Sequence, residues 1–228
     1  MSVLHRSGAE LLGTAFLLIA VVGSGIMGER LSGGNAAITL LANSLATGTA
    51  LIALILTFSP VSGAHFNPAV TLSHALRGRM SWTRTPAYIG AQFAGALLGV
   101  AAAHLMFGEP IFRLSHRLRS GSSQMFSEFV ATFGLLCVIE GCAKFRAGAV
   151  PLAAGLYIAG AYWFTSSTSF ANPAATVARA FTDTFSGIRL ADVPGFIFAQ
   201  LAAAFSGVVV CRWLFASTSR KIAEPAPL

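Results

Sequence analysis

Charge is what this sequence has least of. Asp, Glu, Lys and Arg together make up 10% of its 228 residues, where a soluble domain carries about 25%. A soluble fold of this composition could not cover its surface with polar groups. The apolar surplus, with a mean hydropathy of +0.71, calls for lipid as solvent. Acidic residues are scarcer still, eight against 15 Lys and Arg, for a net charge of +7. The basic residues form no stripe and lie mostly between apolar stretches. That distribution excludes nucleic acid as a partner and fits loops at a lipid surface. Cysteine is limited to Cys137, Cys142 and Cys211, all inside apolar stretches and without Cys-x-x-Cys or other metal-type spacing. They read as small packing residues. His74, His104 and His116 have no companions at ligand spacing, so neither a metal nor a cofactor is expected. No nucleophile–base pair stands at recognisable spacing either, which argues against an enzyme.

What the sequence has in abundance is apolar length. Six segments, about 9–28, 36–58, 86–107, 124–145, 149–166 and 193–215, approach the ~20 residues that a helix needs to cross a ~30 Å hydrocarbon core. Helices are the expected spanning form, because lipid offers the backbone no hydrogen-bond partners. Glu10 opens the first run and the run has a counterpart in the fourth, so it reads as a span rather than a cleaved leader. Small residues such as Gly90, Ala94, Gly95 and Gly99 in the third span would let helices approach closely. Two further apolar stretches, 67–78 and 172–181, are too short to cross. They predict half-helices that dip into the membrane from opposite sides.

The chain divides into two similar halves. Ala9-Glu10-Leu11-Leu12-Gly13-Thr14 is matched by Ser127-Glu128-Phe129-Val130-Ala131-Thr132, and Ala91-Gln92-Phe93-Ala94 by Ala199-Gln200-Leu201-Ala202. Between these landmarks lie Asn67-Pro68-Ala69 and Asn172-Pro173-Ala174. Three spans per repeat is an odd number, so the halves must be inverted in the membrane. The expected organisation is one channel domain over 1–228, with repeats at about 9–107 and 124–216 and a cytoplasmic tail at 217–228. With both termini cytoplasmic, Arg6, Arg77, Arg79, Arg84, Lys144, Arg146, Arg212, Arg220 and Lys221 fall on the inner side. Arg30, Arg113, Arg117, Arg119, Arg179 and Arg189 fall outside, a bias of the correct sign but modest size.

The Asn-Pro-Ala pair carries the chemistry. Asn is a favoured helix cap, since its side-chain oxygen accepts a backbone N–H of the first turn. Pro at the first helical position has no N–H to leave unpaired. With its oxygen occupied, each Asn can turn NH₂ donors to a lumen. Two half-helices meeting at mid-bilayer would bring two positive dipole ends together, a site that donates hydrogen bonds and repels cations, protons included. Glu10 and Glu128 lie inside spans, where a carboxylate needs a partner. Gln92 and Gln200 read as hydrogen-bonders between helices.

Ser62-Gly63-Ala64-His65-Phe66-Asn67-Pro68-Ala69-Val70-Thr71 and Ser169-Phe170-Ala171-Asn172-Pro173-Ala174 resemble the two signature loops of the aquaporin and glycerol-facilitator superfamily. The doubled Glu and Gln landmarks match as well, so the resemblance runs from about residue 9 to 215. It implies an all-α membrane protein, a right-handed bundle of six transmembrane helices with two re-entrant half-helices and an inverted internal repeat. It implies a homotetramer in the lipid bilayer of the cell's inner (plasma) membrane, multi-pass, with both termini cytoplasmic, passing small neutral solutes without catalysis. Glu10 and Glu128 would support the re-entrant loops, and Gly63, Ala64 and His65 would offer a carbonyl ladder to the lumen.

The sequence departs from the family at its outer constriction. An Arg usually follows the second Asn by three residues; here that position is Ala175, and its counterpart in the first half is Val70. Counting from the motifs places Thr47, Gly160 and Ser169 (or Phe170) in the same ring. Such a ring is wide and neutral, and Arg179, one turn beyond Ala175, reads as a headgroup or vestibule anchor. The expectation is a passive channel for polyols such as glycerol, neutral metalloid hydroxides such as arsenite, and water. The arsenite part rests on similarity to the bacterial aquaglyceroporin branch associated with arsenic resistance. The alternatives are a water-selective aquaporin or an ion-coupled secondary transporter. The latter would need a coupling site among Glu10, Glu128 and Glu140, the carboxylates well inside the spans.

Overall fold

A computed structural model describes residues 1–216; the expected tail at 217–228, with Arg220 and Lys221, lies outside the described residues. Six helices are long and apolar enough to cross a membrane. They are α1 (Val3–Leu31), α2 (Ala36–Ser62), α4 (Thr85–Phe107), α5 (Ser122–Phe145), α6 (Val150–Phe164) and α8 (Val193–Ala216). A 3-10 turn over Ala147–Ala149 lengthens α6 at its start. Between them stand two short helices, α3 (Pro68–Leu76) and α7 (Pro173–Ala178), the latter continued by a 3-10 turn over Arg179–Phe181.

The bundle is apolar on its surface as well as in its core, with a few polar groups buried inside. Large apolar side chains such as Leu105 (68% exposed) and Phe198 (69%) face outward, while Glu10, Gln92, Glu128 and Gln200 are fully buried. Outward apolar surface is stable only against lipid, and inward polar groups only where they are paired.

Packing follows the repeat. α1 lies on α4 and α2, α5 lies on α8 and α6, and α2 meets α6 across the two halves. Each half-helix also packs on the other repeat, α3 on α8 and α7 on α4. Close approach explains the small residues in the spans. A Cβ on Gly95 would stand 2.2 Å from the Leu11 carbonyl oxygen, and one on Gly99 2.4 Å from that of Ala15. Gly48 and Gly155 make the equivalent contact between α2 and α6, where a Cβ on Gly155 would lie 2.5 Å from the Gly48 oxygen. Gly90, by contrast, has open space beside it.

Candidate functional site

The two short helices begin at the asparagines. Asn67 caps α3 by accepting the Ala69 N–H at 2.9 Å. Asn172 caps α7 by accepting those of Ala174 and Ala175 at 3.0 and 3.2 Å. Each amide nitrogen also crosses to the opposite loop: Asn67 Nδ2 donates to the Ala171 carbonyl at 2.7 Å, and Asn172 Nδ2 to the Phe66 carbonyl at 2.8 Å. The two helix starts therefore meet, locked by a reciprocal pair of hydrogen bonds. One of the two N–H groups on each Asn is used in that lock, so each retains one further donor. Both residues line a cavity of ≈ 160 Å³ in the middle of the bundle.

The loops leading into these helices are strained. Ala64 and Phe66 in the first, and Thr168, Ser169 and Ala171 in the second, adopt φ between 49° and 60°. The left-handed region costs a non-glycine residue roughly 1–2 kcal/mol. Two buried carboxylates hold these conformations. Glu10 accepts the N–H groups of His65 (3.0 Å) and Phe66 (2.7 Å), the Ser62 hydroxyl (2.6 Å) and Gln92 Nε2 (2.8 Å). Glu128 accepts the N–H groups of Phe170 and Ala171, both at 2.8 Å, and Gln200 Nε2 at 2.7 Å. The glutamines continue to Thr71 at 2.8 Å and Thr176 at 2.9 Å, each four residues past its asparagine. Charge-assisted bonds of this kind make a buried carboxylate tolerable in a span.

At one end of the cavity Thr47, Tyr162, Ser169, Phe170, Ala175 and Arg179 face the space. Tyr162 donates to Thr47 Oγ1 at 3.2 Å. The Arg179 guanidinium carbon lies 3.3 Å from the centre of the Phe170 ring, and its Nε donates to the Ser186 carbonyl at 2.5 Å. Gly63, Ala64 and His65 line the other end, where the His65 ring packs on His74 with centroids 4.4 Å apart. The remaining wall is apolar, including Leu17, Val21, Leu135 and Ile158.

This architecture has known counterparts. Residues 1–159 match the family model described as "Major intrinsic protein". Over 223 residues the chain is 50% identical to Aquaglyceroporin AqpS of Rhizobium meliloti (strain 1021), covering 98% of this chain and 95% of that protein. It is 29% identical to Aquaporin NIP1-2 of Oryza sativa subsp. japonica over 215 residues, covering 91% and 69%. Its fold resembles that of the aquaglyceroporin from Plasmodium falciparum in an X-ray structure, with TM-score 0.70 and 22% identity over 95% of this chain and 97% of that one. The chain belongs to the major intrinsic protein family.

As a major intrinsic protein it is a multi-pass membrane channel for small solutes and not an enzyme. One expectation about its cavity needs correction. Gly160 is exposed on the outside of α6 and does not line the cavity; Tyr162 does. Two helical positions correspond to a rotation of about 200°, enough to exchange lumen for lipid. Arg179, expected as a headgroup or vestibule anchor, is 2% exposed and lines the cavity together with Ala175. α7 ends at Ala178 and the chain tightens into a 3-10 turn, so Arg179 folds inward rather than continuing outward on the helix.

Arg119 likewise escaped motif counting. It donates to the carbonyls of Ser167 (3.1 Å), Phe185 (3.3 Å) and Gly187 (2.8 Å) and to Thr168 Oγ1 (3.3 Å). Burial draws its guanidinium down to about 10, so it remains a cation at neutral pH. Of the other arginines expected on the outer side, Arg30, Arg113, Arg117 and Arg189 pair with Glu109, Asp183, Glu29 and Asp192. Of the six arginines expected outside, Arg179 is buried, Arg119 is half-buried among carbonyls and the other four are ion-paired.

Proposed function

We propose that the cavity is a pore that passes small uncharged solutes down their gradient: glycerol-like polyols, neutral metalloid hydroxides such as arsenite, and water. The observation that carries this reading is the meeting of two capped helix starts, with Asn67 and Asn172 both on the cavity wall and their positive dipole ends facing one another. A neutral hydroxyl-bearing solute accepts the donor that each asparagine retains, and Gly63, Ala64 and His65 offer carbonyls along the way. The apolar wall opposite suits the carbon skeleton of a polyol. Asn67 and Asn172, with Pro68, Ala69, Pro173 and Ala174 setting their helices, form the central station of this pore.

Thr47, Tyr162, Ser169, Phe170, Ala175 and Arg179 form its selectivity ring. The small Ala175 leaves room for solutes larger than water. Arg179 restores a fixed positive charge that repels cations in a poorly screened site. The relative named as an aquaglyceroporin at 50% identity supports polyol passage over strict water selectivity.

The protein works as a homotetramer in the inner membrane with both termini cytoplasmic. Arg6, Arg77, Arg79 and Arg84 lie at the end that faces the cytoplasm, and among the described residues only Glu140 pairs with them. Stopped-flow light scattering on proteoliposomes tests the reading. Water, glycerol and neutral arsenite all equilibrate faster than in empty vesicles. Acceleration of water alone would favour a water-selective channel.

A further inference from the structure

Beside the His65 and His74 end of the main cavity lies a second, strongly polar hollow of ≈ 110 Å³. Arg6, Arg79, Arg84, Ser81 and Tyr88 form its walls, and His65 and His74 separate it from the pore cavity, lining both. Three guanidiniums thus converge on one small space. The carboxylates around it are already committed. Glu140 accepts from Arg77 at 3.1 Å and from Arg79 at 2.8 Å. Both oxygens of Glu10 are held by Ser62, Gln92 and the re-entrant loop.

We propose that this hollow is a binding site for a small oxyanion of the phosphate class. Arg6 Nε is buried with no hydrogen-bond partner among the described residues, the state of a donor waiting for an acceptor. Arg84 makes neither an ion pair nor a side-chain hydrogen bond among the described residues, and it stands at the start of α4, which has no side-chain cap. The positive dipole end of that 23-residue helix adds to the field of the arginines. Planar guanidinium forks match the paired oxygens of a phosphate better than they match chloride. The occupant is either free phosphate from solution or the phosphate of a phospholipid headgroup.

The test is a titration of inorganic phosphate into the full chain in zwitterionic detergent, followed by calorimetry at constant ionic strength against chloride. Saturable binding with Kd of about 1 mM or tighter is expected. Arg84→Gln and Arg6→Gln each weaken it roughly tenfold or more, as loss of a charge-assisted contact should. Arg84 is exposed, so R84Q keeps its fold, which an unchanged melting curve verifies. A second arm adds short-chain phosphatidic acid: displacement of phosphate assigns the headgroup as occupant, and undiminished phosphate binding assigns the free ion. Absence of saturable binding, or equal binding by both variants and the parent protein, overturns the site. Neither arm requires solute flux, so the outcome is independent of the transport reading.

Discussion

In the first re-entrant loop Glu10 holds the N–H groups of His65 and Phe66; in the second Glu128 holds those of Phe170 and Ala171. These are the same positions counted back from Asn67 and Asn172. Gln92 and Gln200, Thr71 and Thr176, and the crossed asparagine bonds repeat just as closely. The ends of the pore do not. Two residues before and seven after each asparagine, the first loop pairs His65 with His74 and the second pairs Phe170 with Arg179. The backs of the loops differ too. Tyr88 donates to the Ser62 carbonyl in the first, whereas Arg119 donates to the equivalent Ser167 carbonyl in the second. The frame that forces strained backbone towards the lumen tolerates no variation, because its groups are buried and each needs a partner. The pair at each mouth only has to stack, so one fold carries two histidine rings at one end and an arginine on an aromatic ring at the other.

The largest expected effect breaks the frame itself. Glu128→Leu strands the Phe170 and Ala171 N–H groups and Gln200, at about 1–3 kcal/mol each. It should abolish recovery of folded protein on detergent size-exclusion chromatography, and Glu10→Leu should do the same; survival of only one would show that the halves are not equivalent. Next come the caps. Asn67→Ala and Asn172→Ala each lose a cap worth about 0.5–2 kcal/mol and a crossed hydrogen bond of about 0.5–1.5 kcal/mol. Thermal unfolding should show similar, partial losses for both.

The mouths should then separate the halves. Arg179→Ala raises proton leak through proteoliposomes roughly tenfold or more by removing a poorly screened charge, whereas His74→Ala changes it far less. Equal leaks would remove Arg179 from the barrier. Ala175→Arg is expected to slow glycerol and arsenite several-fold while slowing water less; its counterpart Val70→Arg lies away from the ring. Unchanged polyol flux in A175R would mean that position 175 does not set the width. Smallest is Tyr162→Phe, which deletes one neutral hydrogen bond to Thr47, about 0.5–1.5 kcal/mol. A small fall in melting temperature with glycerol flux kept or raised is expected.

Most of the fold was legible because lipid makes the signal simple: a span must be apolar and about 20 residues long, and a half-helix start must be capped. The asparagines could be placed on the same ground, since Asn-Pro is a helix start wherever backbone donors need an acceptor. The mouths were harder to read because they depend on rotation about a helix axis and on where a helix gives way to a turn. Counting set Gly160 in the ring, yet a two-residue offset carries a side chain from lumen to lipid, and it is Tyr162 that lines the cavity. Arg179 seemed one turn too far along α7, and the 3-10 turn at that point brings it inward. Arg119 lies in a loop with no motif at all, and its role emerges only from the carbonyls it gathers.

Passive conduction itself is tested most directly by the initial rate of glycerol entry into proteoliposomes as external glycerol is raised, with and without proton and sodium gradients. An open pore predicts a rate that rises in proportion to concentration and is the same under every ion gradient. A rate that levels off, or that follows the ion gradient, would contradict it and point to a transporter that closes around its cargo.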